Sequence, residues 1–251
     1  MLASYLRKII PERFRPIGYL THLTQKRSFN SVMNGPFAGM RYARKSQGSA
    51  YIPKLLGIYE RELVSCIESL IANSPSMVVD VGAAEGYYAV GMARRLPNAK
   101  VVAFEMELSA HDTLREMSES NGVAERVSIR GKCETSDLFK LLQDEDSVAV
   151  ICDVEGYEKQ LLDPSVVPQL IHSTILVELH DFLVPDITQT LIDRFNTTHK
   201  ISHIWQEPRS TEDFPWRTMA TSLLPQSYLD WAVSEWRPVK MSWLWMEPKK
   251  L

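Results

Sequence analysis

From Tyr51 onward the apolar positions switch between two periods. In "YIPKLLGIYERELVSCIESLIANSP", Leu55, Ile58, Leu63, Cys66, Ile67, Leu70 and Ile71 recur at helical spacing, which predicts a helix after Pro53 that Asn73-Ser74-Pro75 stops. Short apolar runs follow: "MVVDVG", "KVVAFE", "RVSIRG", "SVAVICDV", "STILVELHD", "HKISHIW" and "MSWLWME". Each reads as a strand. Helical patterns separate the first six, at "EGYYAVGMARRL", "SAHDTLREMSESNG", "TSDLFKLLQ", "GYEKQLLD" and "DITQTLIDRFNTT". Near-continuous apolar strands alternating with helices predict an α/β fold, a doubly wound parallel sheet with helices on both faces.

The last two strands are joined by Gln206 to Lys240, with four prolines and three tryptophans. A connection that long is a functional loop or an inserted short helix, so residues 206–239 are assigned as an insertion on the substrate side. His203 and Trp205, and Trp243 and Trp245, alternate as a partly buried sheet would and are read as core. Residues 1–48 carry Pro11, Pro16, Gly35, Pro36 and Gly39, so any helices there are expected to be short. The expected organisation is an N-terminal helical or irregular extension, 1–48, and one domain, 49–251.

Charge sharpens that boundary. Residues 1–48 hold nine basic residues and one acid, a net of +8. The remainder holds 19 basic and 30 acidic residues, a net of −11. The basic arm can meet an anionic membrane surface or a phosphorylated substrate. The acidic core disfavours a nucleic-acid partner. Cys66, Cys133 and Cys152 lie far apart without ligand spacing, which excludes a disulfide framework and fits a reducing compartment. No stretch reaches the roughly 18–20 apolar residues of a membrane span. The expected location is the cytoplasm, with the arm as a peripheral membrane contact.

Candidate chemistry begins where the first strand ends, in "DVGAAEG". Ligands of open parallel sheets bind beyond the carboxyl ends of the strands, near the point where strand order reverses. Gly82 and Gly86 suit a tight turn. The spacing is D-x-G-x-x-x-G, not the G-x-G-x-x-G of a dinucleotide site, and Glu85 stands where a phosphate would be repelled. Such a turn favours a ligand with a positive portion, such as an amino acid carrying a sulfonium. Glu105, ending the second strand, can take two ribose hydroxyls.

"VVDVGAAEGYYA", the acid in "VVAFEME", and "CDVEGYEKQLLD" together resemble the FkbM family of S-adenosylmethionine-dependent methyltransferases over residues 50 to 205. The resemblance implies a Rossmann-like seven-stranded sheet whose last strand is antiparallel. It also implies methyl transfer from S-adenosylmethionine to a hydroxyl oxygen, often on a sugar or polyketide, so the expected partner is a small-molecule or glycan acceptor. Two positions depart from the family: Glu85, where Asn is common, and Ile151, where a lysine commonly precedes the strand-4 aspartate by two residues. N-methylation, and a cofactor-binding scaffold without turnover, are the alternatives.

On this reading Asp80 anchors the turn, with Gly82, Ala83, Glu85, Gly86 and Tyr87 around the cofactor, and Met106 lies on the adenine. Cys133 and Glu134 are candidates for the ring edge. Capping of the next helix by Thr135 or Ser136, with Asp137 in its first turn, explains that stretch equally well. Asp153 and Glu155 end strand 4; Glu178, His180 and Asp181 end strand 5. A hydroxyl acceptor must lose its proton, and His180 is the candidate base, with Asp153 or Glu155 as orienter or alternative base. Asp153, Glu178, His180 and Asp181 can instead hold a divalent metal, Mg or Mn, that lowers the acceptor's pKa. Trp216, Trp231 and Trp236 in the long connection are candidates for an acceptor-binding wall.

Overall fold

The computed structural model describes residues 15–44 and 50–249. They divide into two compact units. One comprises the described residues up to Arg61 together with Glu207–Pro238, and the other Glu62–Gln206 with the described residues from Val239 onward.

The larger unit carries seven strands: β1 (Met77–Val81), β2 (Lys100–Phe104), β3 (Val127–Arg130), β4 (Val148–Cys152), β5 (Thr174–Glu178), β6 (His199–Trp205) and β7 (Ser242–Pro248). Their order is β3-β2-β1-β4-β5-β7-β6. The first five are parallel, and β7 runs antiparallel between β5 and β6. The order therefore reverses between β1 and β4, which opens the crevice at their carboxyl ends. Val79 and Val81, Val150 and Cys152, and Ile175 and Val177 join one apolar core. Strand alternation turns Asp80, Ile151 and Glu178 to the other face.

Six α-helices complete this unit among the described residues. They are α3 (Val64–Asn73), α4 (Tyr87–Arg95), α5 (Leu108–Ser120), α6 (Thr135–Leu142), the single turn α7 (Glu158–Leu161) and α8 (Ile187–Phe195). The helix expected from Pro53 to Ile71 is broken. It becomes α2 (Tyr51–Leu56), a 3-10 turn at Arg61–Leu63, and α3. Gly57 is the cause: its φ of +73° ends α2, and a Cβ there would lie 2.1 Å from the Asn34 carbonyl oxygen.

The smaller unit holds α1 (Pro16–Ser28), α2, α9 (Met219–Ser222) and α10 (Gln226–Val233). Leu20, Ile52, Leu56, Phe214, Leu229, Ala232 and Val233 form its apolar core. This redraws the expected boundaries. Residues 50–61 and most of the 206–239 insertion cluster with the extension, because the extension's own apolar side chains, Leu20, Phe37 and Met40, are buried. A 13-residue helix stands where only short ones were expected, since Pro16 occupies its first turn, the one place proline is tolerated. Trp216 and Trp231 pack on this unit's core, and Trp231 meets Trp236 edge to face. Arg7, Lys8, Arg13 and Lys45 of the basic arm lie outside the described residues.

Trp243 and Trp245 are buried as expected, but His203 and Trp205 are exposed. β6 is an edge strand, and there the Trp205 ring stacks on His203 under the Lys240 ammonium. No helix among the described residues is long and apolar enough to cross a membrane.

All three cysteines are buried. Burial raises each thiol's pKa, that of Cys133 to about 12 and that of Cys152 well above the ordinary range. A raised pKa leaves little thiolate at pH 8. Iodoacetamide is therefore expected to label none of them in the native protein under conditions that label all three in urea, as read by intact mass. Rapid labelling of any one in the native state would contradict the packing.

Candidate functional site

The head of β1 is fastened on both sides. Gly82 and Ala83 each donate their N–H to the Phe104 carbonyl at 2.9 Å, and Asp153 donates its N–H to the Val81 carbonyl at 2.9 Å. Gly82 has a φ of +87°, and a Cβ on it would stand 1.7 Å from the Asp153 carbonyl oxygen. Gly86 (φ +96°) opens α4, and its Cβ would meet Leu114 at 2.9 Å. The glycines are thus required by the protein's own packing.

Glu105 sits just past β2 and reaches across the turn. Its Oε2 accepts the Ala84 N–H at 2.7 Å and its Oε1 accepts the Glu107 N–H at 2.6 Å. The carboxylate is fixed from both ends, while each oxygen keeps a second lone pair. Asp80, Ala83, Glu85 and Tyr87 are all buried beside it along the turn. Met106, by contrast, is exposed. Ile151 lies opposite Asp80 in the β1–β4 register, so an apolar side chain stands there.

Beyond β4 the chain turns through two left-handed residues, Glu155 (φ +50°) and Gly156 (φ +105°). The turn brings Glu158, at the start of α7, beneath His180. Glu158 is wholly buried, and its Oε1 lies 2.7 Å from His180 Nδ1 and accepts the Gly156 N–H at 3.2 Å. On the other side of the ring, His180 Nε2 lies 3.3 Å from Glu155 Oε2 and 3.6 Å from Asp153 Oδ1. Leu183 and Val184 donate their N–H groups to the His180 carbonyl, closing the loop after β5. Burial opposes protonation of His180, but the Glu158 hydrogen bond and the charges of Asp153, Glu158 and Glu155 outweigh it and raise the imidazole's pKa.

Several expected positions are engaged by the protein's own groups. Cys133 is buried in the apolar core shared by Val79, Val81, Val150 and Cys152. Glu134 is itself the residue that caps α6, in place of Thr135 or Ser136. Its N–H is bonded by Asp137, and its carboxylate by Lys132 and the Tyr157 hydroxyl. Asp181 turns onto α8, accepting from the Thr188 N–H and hydroxyl. Glu178 is buried opposite Trp243 at the end of β5. Neither joins the three groups that converge, Asp153, Glu155 and His180. Glu158 is the residue sequence reasoning missed. Its signal was an acid two residues after Gly156, in a stretch read only as a helix start.

No family model matches this chain. Two sequence relatives are release factor glutamine methyltransferases. The protein of Rhodopirellula baltica is 31% identical over 100 residues, covering 39% of this chain and 32% of the relative. The protein of Chlorobaculum tepidum is 40% identical over 68 residues, covering 27% and 22%. The chain thus spans a third or less of the length of either. Among solved structures, the O-methyltransferase TomG of Streptomyces achromogenes, in complex with SAM, aligns over 97% of this chain and 95% of its own. Its identity is 12% and its TM-score 0.46.

The Gly82–Asp153 contact yields a direct test. Gly82→Ala is expected to cost on the order of 3 kcal/mol or more, since strain and a backbone clash add. Gly122→Ala, at φ +68° with nothing within 4 Å of its Cβ, should cost about 1 kcal/mol. Urea unfolding measures both, and equal losses would refute the contact.

Proposed function

We propose that this chain is an S-adenosylmethionine-dependent methyltransferase, of the FkbM type, that methylates a hydroxyl oxygen of a small-molecule or glycan acceptor. The observation that carries the reading is Glu105, a carboxylate held by two main-chain amides at the carboxyl end of β2, beside the glycine turn of β1. The second lone pair of each oxygen suits the vicinal hydroxyls of a ribose. Asp80, Glu85 and Asp153 on the neighbouring segments make the crevice acidic, which suits a sulfonium and repels a pyrophosphate. The exposed Met106 thioether next to Glu105 offers a soft face for a purine.

When bound, S-adenosylmethionine supplies an electrophilic methyl on a positively charged sulfur. The residues of the crevice hold donor and acceptor in line, which alone removes much of the barrier. With the donor bound, the Asp153–Glu155–His180 cluster would take the proton that the acceptor hydroxyl gives up as it is methylated. Glu158 fixes the orientation of the imidazole throughout.

A nitrogen acceptor is the second reading, favoured by the two glutamine methyltransferase relatives. A scaffold that binds cofactor without turnover would share the Glu105 geometry and lack product with every acceptor.

Calorimetric titration with S-adenosylmethionine and S-adenosylhomocysteine is expected to give micromolar binding. Glu105→Gln, with unchanged circular dichroism, should weaken it at least about tenfold, roughly 1.4 kcal/mol. No binding by the unaltered chain, or equal binding by the variant, would overturn the reading.

A further inference from the structure

We propose that Asp153, Glu155 and Nε2 of His180 form a binding site for a first-row divalent cation, with Glu158 as the residue that orients the imidazole. The site stands on its own geometry and does not depend on the methyltransferase reading.

The first argument is the direction of the hydrogen bonds. Glu158 Oε1 lies 2.7 Å from His180 Nδ1 and also accepts a main-chain amide, so the carboxylate is the acceptor and Nδ1 carries the proton. In the neutral ring Nε2 is then a lone pair, and it faces two carboxylates. In that neutral state three acceptor atoms converge. A histidine whose second nitrogen is bonded to a buried carboxylate is the arrangement that fixes the tautomer of metal-bound imidazoles.

The second argument is distance. An N⁺–H···O⁻ bond made by a protonated ring spans about 2.7–2.9 Å. Nε2 stands off at 3.3 Å from Glu155 and 3.6 Å from Asp153, while the Glu158 bond on the opposite nitrogen is tight at 2.7 Å. One ligand atom from each of the three residues lies within 4.8 Å of the others. An octahedral ion with bonds of about 2.1 Å separates neighbouring ligands by about 3 Å and opposite ones by about 4.2 Å. The 3.3 and 3.6 Å separations from Nε2 fall within that range.

Charge and access agree. Three carboxylates surround one imidazole, so an excess of negative charge remains in either protonation state of the ring. His180 closes the site from beneath with 2% of its side chain exposed, whereas Asp153 and Glu155 are 40% and 75% exposed on the open side. Solvent can complete the coordination there. Two carboxylate oxygens and one imidazole nitrogen suit Mn²⁺, Fe²⁺, Co²⁺ or Zn²⁺ more than an all-oxygen ion such as Ca²⁺. Glu155 holds a left-handed backbone, φ +50°, that returns its carboxylate toward the ring. Backbone strain of this kind persists where the surroundings impose it.

The experiment uses the full chain, stripped with EDTA and titrated with MnCl₂, with free Mn²⁺ read by electron paramagnetic resonance. One Mn²⁺ per chain is expected. His180→Gln and Asp153→Asn should weaken it at least tenfold, and Glu158→Gln by 10- to 100-fold, the range for a second partner of a metal-bound histidine. Glu155→Gln, an exposed position that leaves the fold intact, should also lose at least tenfold, and Asp181→Asn should bind as the unaltered chain does. No stoichiometric binding, binding abolished by modest salt, or affinities indifferent to His180 and Glu155 would overturn the site. Titration of the metal-free protein with S-adenosylmethionine is scored separately, so that metal binding without cofactor binding, or the reverse, sinks only one of the two readings.

Discussion

The carbonyl oxygen of Asp153 occupies the space that a side chain on residue 82 would need. Everything at the head of the sheet follows from that contact. Because residue 82 is glycine in the left-handed region, the chain leaving β1 can press against the chain leaving β4. The two are then linked by the Asp153 amide on the Val81 carbonyl. The same turn presents the amides of Gly82, Ala83 and Ala84 to the end of β2, where a backbone carbonyl and the Glu105 carboxylate accept them. A tight turn here is therefore a device for bringing acids from three strands to one edge.

That edge carries an electrostatic cost which the fold must offset locally. Glu158 has no exposed surface, and burying a carboxylate is expensive unless it is hydrogen-bonded and faces a cation. Its Oε1 meets the Gly156 amide and the His180 ring, both supplied by turns that only particular residues allow. Gly156, at φ +105°, has Val184 Cγ2 2.9 Å from where its Cβ would be, so the loop after β4 and the loop after β5 hold each other in place. The imidazole is positioned by packing as much as by its hydrogen bond.

The strands and their order of appearance were legible because a buried parallel strand needs an unbroken apolar run, and few other elements show one. Such runs marked β1, β2, β4 and β5, while β3, β6 and β7 were read from shorter or alternating apolar patterns. The break at Gly57 was not legible, because the helical periodicity of Leu55, Ile58 and Leu63 continues across it and the reason for the break, the Asn34 carbonyl, lies twenty-three residues away in the chain. His203 and Trp205 read as core since alternation reports which residues share a face, not whether anything covers that face. At the site, Asp153 and His180 could be named from strand ends alone. Glu155 joined them through a left-handed turn, and Glu158 through one helical turn, and both depend on backbone conformations that residue types only permit. Glu178 and Asp181 share the strand end with His180, but Glu178 is buried opposite Trp243 and Asp181 accepts from the start of α8, which spacing along one strand does not reveal.

The acids also decide what the crevice refuses. A dinucleotide turn of this fold relies on bare amides at a helix start, to which a pyrophosphate brings its charge. Here the Ala84 amide is taken by Glu105 and the turn holds the buried Glu85, so the positive potential a phosphate would need is already neutralised from within. With the apolar Ile151 opposite Asp80, no cation from β4 restores it. A ligand gains from this edge by bringing hydroxyls to Glu105 and positive charge to the space between β1 and β4. The same excess of carboxylate continues to Asp153, Glu155 and Glu158, where a single imidazole stands against three acids. One electrostatic bias, an excess of carboxylate, therefore runs across both halves of the edge.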